Sequence, residues 1–157
     1  MKNVVLMFTF ILIAGQAFSA EPRRKISKAD EAAATAWVKT LPDPAADYGA
    51  PPEKYEDIVK LYYAERLKDP DSAKYSDFTT PKRSHLIVDK YEKTVRYGYT
   101  VCANINAKNS FGGYVGKKLA WLFIRDNAVV ESALEGSQDF SEQVRMLVVR
   151  RDGLCAP

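Results

Sequence analysis

The residues that could perform hydrolytic chemistry are few and surround a single histidine, His85. A serine–histidine–aspartate arrangement would combine His85 with Asp89 and with a serine such as Ser84 or Ser110. Because neighbouring residues of a strand point to opposite faces, Ser84 is poorly placed to meet His85. A small hydrolase that uses His85 and acts on cell-wall or peptide material is therefore an alternative hypothesis, not the main one.

Neither a metal centre nor a cofactor site is predicted. One histidine and two widely separated cysteines do not supply the ligand spacing of a zinc site. The glycine-punctuated segment Gly112, Gly113, Gly116 is not a phosphate-binding loop, because its spacing is wrong and no Gly-Lys-Ser/Thr runs into a helix. We expect no bound metal and no cofactor.

The most unusual polar segment runs from residue 104 to residue 116, where a strand ends and a glycine-rich strand begins. Asn109 tolerates left-handed backbone and the glycines allow bulges, so one interpretation is simple hairpin geometry. The other is a partner-binding surface that presents charge, amide groups and a tyrosine together. The residues predicted to form that surface are Asn104, Asn106, Lys108, Asn109 and Tyr114.

Three segments, at residues 67–73, 101–102 and 106–116, read LKDPDSA, VC and NAKNSFGGYVG. They resemble the pattern LKDPxSA … VCGxVNAKNxFGGYxG of small exported proteobacterial proteins of unknown function, which often carry a late cysteine like Cys155. The chain departs from this pattern at Ala103, where glycine is usual. The resemblance spans residues 53–157 and brings no catalytic residues with it.

The first twenty residues have the layout of a cleaved secretory signal. Lys2 precedes an apolar run over residues 4–14 that is too short to span a bilayer. Small residues follow, and we expect cleavage after Ser19 or after Ala20. Gln16 stands where a lipoprotein signal would carry cysteine, so no lipid anchor is expected. The mature chain is predicted to be periplasmic or secreted, with no transmembrane segment.

The composition limits the classes of partner, the number of domains and the state of the cysteines. The 157 residues include 23 basic and 20 acidic side chains, a net charge of +3, which gives no basis for a nucleic-acid partner. The length that remains after the signal suits one domain. In an oxidising compartment the two cysteines, Cys102 and Cys155, predict one disulfide; a redox-active pair is disfavoured without a Cys-x-x-Cys motif.

Apolar spacing predicts an α+β domain over residues 53–157, preceded by an N-terminal helix and a proline-rich linker or ordered loop over residues 21–52. Ser27 followed by Asp30 predicts the start of the first helix. The helices are expected at 29–39, 53–67 and 141–151.

A period of two begins at His85 and predicts an antiparallel sheet of about four strands, packed by the second and third helices. The strands are expected at 86–88, 95–107, 114–125 and 128–134. Residues 95–107 alternate cleanly, so one face of this strand, which carries Cys102, is expected to be wet. Residues 119–124 are apolar on both faces and are expected to be central or covered by a helix.

These features predict an exported, non-enzymatic binding or envelope-accessory protein. Its partner would be another envelope or secreted protein, bound through the turn from Asn106 to Tyr114 and the polar face of the sheet. Besides the hydrolase, a second alternative is an inhibitor of a secreted enzyme, since small disulfide-bonded exported domains suit that role.

Overall fold

The computed structural model describes residues 25–137 and Cys155. Within these residues the fold is α+β, as predicted, with two helices and a five-stranded antiparallel sheet. The elements in chain order are α1 (Lys28–Val38), α2 (Tyr55–Ala64), a 3₁₀ turn (Pro70–Ser72), β1 (Lys74–Ser76), β2 (Lys82–Asp89), β3 (Thr94–Asn106), β4 (Lys118–Arg125) and β5 (Ala128–Leu134). The helix predicted at 141–151 lies outside the described residues.

The sheet is organised around β3, a strand of 13 residues. Its first half pairs with β2 and its last residues pair with β1, with Lys74 opposite Asn106. Its other edge pairs with β4, which pairs in turn with β5, so β4 is an interior strand as predicted. The sequence did not predict β1, because a strand of three residues is too short to show a period of two.

Helix α2 covers one face of the sheet with the apolar stripe that its sequence predicts. Val59 is fully buried and packs in a cluster with Val101 of β3 and Leu122 of β4. The Tyr62 hydroxyl lies 2.7 Å from the hydroxyl of Ser132 on β5, which ties the helix to the far strand. This packing buries Val101, Ala103 and Ile105, which lie on one face of β3.

The opposite face of β3 is buried as well, so the expectation of a wet face is wrong over its middle. Thr100 and Cys102 are 0% and 1% exposed. They stand opposite Phe123 and Trp121 of β4, whose rings form a second core cluster with Cys102. A period of two identifies the two faces of a strand, but it does not show whether a polar residue is covered by large neighbours from another strand.

The predicted disulfide is present: Cys102 is bonded to Cys155, with the two Cα atoms 5.4 Å apart. Cys155 packs against the second cluster, which explains in part why Cys102 is buried on the polar phase of its strand. Among the described residues, no helix is long and apolar enough to cross a membrane.

The proline-rich segment is an ordered loop that lies on the sheet. The Tyr48 ring contacts the Tyr97 ring edge-on, with ring centroids 5.3 Å apart. The Arg125 guanidinium donates to the Asp47 carboxylate at 2.9 Å and to the Tyr97 carbonyl at 2.8 Å. The Gly49 N–H, and then Arg125, lower the pKa of Asp47. Before this loop, α1 begins with the predicted capping box, in which Ser27 and Asp30 satisfy each other's backbone N–H groups.

Candidate functional site

The segment between β3 and β4, residues 107–117, forms a closed loop at one end of the sheet and is called the glycine loop below. Its two sides meet at a bridge between Lys108 and Tyr114. The Asn109 N–H donates to the Gly113 carbonyl at 2.8 Å, and the Gly112 N–H donates to the Asn109 carbonyl at 3.0 Å. Gly112 has a φ of 79°, in the left-handed region that favours glycine.

Two of the predicted binding amides hold this loop in shape. Asn109 Oδ1 accepts hydrogen bonds from the N–H groups of Phe111, at 2.9 Å, and Gly113, at 3.1 Å. Asn106 Oδ1 accepts from the Gly116 N–H at 3.1 Å. Because these oxygens are engaged within the loop, the hairpin interpretation explains Asn106 and Asn109.

A link to the 3₁₀ turn fixes the loop to the rest of the domain. Ser72 Oγ accepts from the Lys108 N–H at 3.0 Å, and the Ser72 carbonyl accepts from the Tyr114 hydroxyl at 3.2 Å. A further link is the hydrogen bond that Lys68 Nζ donates to Ser110 Oγ of the loop at 3.1 Å. The segments 67–73 and 106–116, which the sequence shows as separate motifs, therefore form one structural unit.

Phe111 stands at the tip of the glycine loop with 96% of its surface exposed. Its neighbours Tyr114 and Val115 are 43% and 50% exposed. Sequence reasoning did not select Phe111 as a site residue. The available signal was an aromatic residue inside a polar and glycine-rich turn, where no strand or helix face can bury it.

Two lysines from separate elements approach the ring of Tyr114. Lys74 Nζ of β1 lies 4.6 Å from the ring centroid, and Lys108 Nζ lies 5.7 Å from it. Both are cation–π distances. Neither lysine forms an ion pair with a carboxylate among the described residues.

Asn104 is engaged on a neighbouring part of the surface, with Asp77. Its Nδ2 donates to Asp77 Oδ2 at 2.8 Å, and Lys117 Nζ and Ser76 Oγ contact the same oxygen at 3.0 and 2.9 Å. These hydrogen bonds, that of Asn104 first, lower the pKa of Asp77 to about 2. Of the five predicted binding residues, Asn104 therefore stabilises a fixed negative charge, while Lys108 and Tyr114 belong to the lysine and aromatic surface of the glycine loop.

The structure separates His85 from Ser84 and from Asp89, two of the partners in the hydrolase hypothesis. His85 stands opposite Tyr97, with ring centroids 6.2 Å apart, whereas Ser84 stands opposite Gly98 and faces the other side of the sheet. Four residues of strand span about 13 Å, which separates His85 from Asp89. Asp89 Oδ1 accepts from backbone N–H groups of the following turn, at 2.7 and 3.0 Å. In the described part of the chain, no group of three or more histidine, cysteine, aspartate or glutamate side chains could hold a metal ion.

In comparisons with known proteins, no protein-family model, curated protein or solved structure matches the chain.

Proposed function

We propose that the protein is an exported, non-enzymatic binding protein that docks on another envelope or secreted protein through the tip of the glycine loop. The observation that carries this proposal is the 96% exposure of Phe111 on a loop whose backbone is held in place. An exposed phenylalanine that packs against nothing contributes nothing to folding, but it contributes about 1.5–3 kcal/mol when a partner buries it.

The loop is also prepared for binding. Its shape is held by Asn106 and Asn109, and its position is held by the contacts of Ser72 with Lys108 and Tyr114. A loop that is already ordered loses little conformational entropy when it binds, so more of the contact energy appears as affinity. Aromatic anchors on rigid loops are typical of residues that dominate protein interfaces.

Export is supported by two features. The disulfide between Cys102 and Cys155 is the kind of bond that persists in oxidising compartments. The first twenty residues have the composition of a secretory signal. Both favour a periplasmic or secreted location for the proposed binding protein.

The same loop favours one second candidate, an inhibitor of a secreted enzyme. A protruding, ordered loop with an aromatic tip is suited to enter a cleft without rearrangement, as protease inhibitors do. The two functions differ in one measurement: an inhibitor abolishes the activity of its captured target at stoichiometric concentration, whereas an accessory protein leaves it intact.

The proposal is tested by affinity capture from an envelope extract of the source organism with the oxidised, exported protein. Phe111→Ser is compared with Leu61→Ser, a matched control, because Leu61 is 69% exposed on α2, away from the loop. We expect a partner that the parent and Leu61→Ser capture and that Phe111→Ser loses. The proposal is overturned if Phe111→Ser captures the same proteins as the parent, or if the parent captures none.

A further inference from the structure

Two lysines lie against the ring of Tyr114, and neither forms an ion pair with a carboxylate of the described residues. Lys74 belongs to β1 and Lys108 follows β3, and each places its ammonium within 6 Å of the ring centroid. The ring attracts both cations, but no ion pair with a described carboxylate offsets their mutual repulsion. A carboxylate placed beside this pair would relieve that repulsion.

The surroundings of the pair are basic and aromatic. Lys68 donates to Ser110 of the glycine loop, whereas Lys117 is ion-paired with Asp77 and adds no net charge. Phe111 projects from the tip of the glycine loop, with 96% of its surface exposed. The surface therefore offers one apolar anchor together with a group of positive charges.

We propose that the surface formed by Lys74, Lys108, Tyr114 and Phe111, called the lysine–aromatic surface below, binds an acidic segment of a protein partner. A carboxylate of that segment contacts the two lysines beside Tyr114, and an apolar pocket next to it receives Phe111. This inference rests on the proposed function and adds the chemistry of the partner.

An acidic protein segment fits this surface better than an anionic membrane does. Asp77 is the first residue after β1, three positions beyond Lys74, and its contacts with Asn104 and Lys117 keep it ionised. A planar anionic membrane cannot avoid this fixed negative charge. A protein segment can place its carboxylates opposite the lysines and leave Asp77 uncovered.

The test uses a random peptide display library selected on the oxidised, exported protein, followed by affinity measurements with a synthetic copy of the most enriched peptide. We expect enrichment of aspartate and glutamate, and an affinity that falls as sodium chloride is raised. The double variant Lys74→Gln/Lys108→Gln should weaken binding about tenfold, from two exposed ion pairs. The matched control, Lys54→Gln/Lys93→Gln, removes the same charge from exposed positions elsewhere and should bind like the parent.

The outcomes separate this inference from the proposed function. Peptides without acidic enrichment, or equal affinities for the two double variants, overturn the inference, as does a selection that yields no binder. If the selected peptides are not acidic but lose affinity for Phe111→Ser, the proposed function stands and only the inference fails. If their affinity does not depend on Phe111, the inference and the proposed function both fail. The last outcome is binding to a membrane. If the parent sediments with phosphatidylglycerol vesicles, the Lys74→Gln/Lys108→Gln variant does not, and no acidic peptide binds, the surface is assigned to a membrane and the inference is overturned.

Discussion

Replacing Asn109 with alanine should loosen the glycine loop without unfolding the domain. The change removes the acceptor of two hydrogen bonds, from the N–H groups of Phe111 and Gly113 at 2.9 and 3.1 Å. A net contribution of about 0.5–1 kcal/mol for each, the lower part of the usual range because the site is exposed, gives about 1–2 kcal/mol for the closed loop. That amount corresponds to a change of about 5- to 30-fold in the population of open loop.

Native-state hydrogen exchange measures this opening at the amide of Gly112, which donates to the Asn109 carbonyl at 3.0 Å. We expect its exchange to become about 5- to 30-fold faster in Asn109→Ala. The β4 amides exchange when the whole domain opens, so their protection should fall by at most the same factor and stay far above that of Gly112. Affinity for a partner that buries Phe111 should fall in proportion to the fraction of closed loop that is lost, since only the closed loop presents Phe111 ready for binding.

The matched control is Asn109→Asp, whose side chain keeps an acceptor oxygen at the same position. This variant should exchange at Gly112 like the parent. Equal exchange at Gly112 in the parent and in Asn109→Ala would refute the assignment of Asn109 as the residue that holds the loop. Faster exchange in Asn109→Asp, as large as in Asn109→Ala, would show that the acceptor oxygen is not the cause.

Three further predictions concern stability. Because the pKa of Asp77 is lowered from 3.8 to about 2, the stabilisation from its ionised carboxylate is fully present above about pH 4 and is lost as the pH falls towards 2. Asp77→Asn should therefore show a flatter dependence of Tm on pH between about pH 4 and about pH 2. Parallel Tm curves for the parent and the variant would contradict this. Reduction of the disulfide, which joins residues 53 apart, should lower the free energy of unfolding by up to about 4 kcal/mol in urea titrations, whereas no change would contradict its structural role. Gly98→Ala places a Cβ 2.6 Å from the Ile124 carbonyl oxygen and should lower the free energy of unfolding by about 1–3 kcal/mol. The control Gly113→Ala, whose nearest atom is 3.8 Å away, should cost far less, and equal losses would refute the steric argument.

Local chemistry made several elements predictable from the sequence. Ser27 and Asp30 are three residues apart and satisfy each other's N–H groups, so the start of α1 follows from two side chains. Tyr55, Val59 and Tyr62 recur at helical spacing, which predicts α2 and the face that it buries. With only two cysteines in the chain, the disulfide pairing had one intramolecular solution.

The candidate site was predicted only in part. The glycine-rich segment marks the loop, which carries the half-buried Lys108 and the exposed Tyr114 in contact with each other. Asn106 and Asn109 were assigned to a partner, but their oxygens hold the loop. Nothing local distinguishes an asparagine that binds a ligand from one that caps its own turn, because both need the same amide in the same kind of sequence.

The sequence alone determined the periods of the strands, the start of the first helix, the pairing of the cysteines and the presence of a glycine-rich turn after β3. Tertiary structure decided that Thr100 and Cys102 are buried, that Lys74 reaches the ring of Tyr114, and that Ser72 ties the loop to the 3₁₀ turn. The physical reason is the range of the interactions. Capping and periodicity act over a few neighbouring residues, whereas burial and the contacts of Ser72 and Lys74 join residues about 30–40 positions apart, and only the pairing of strands brings those together.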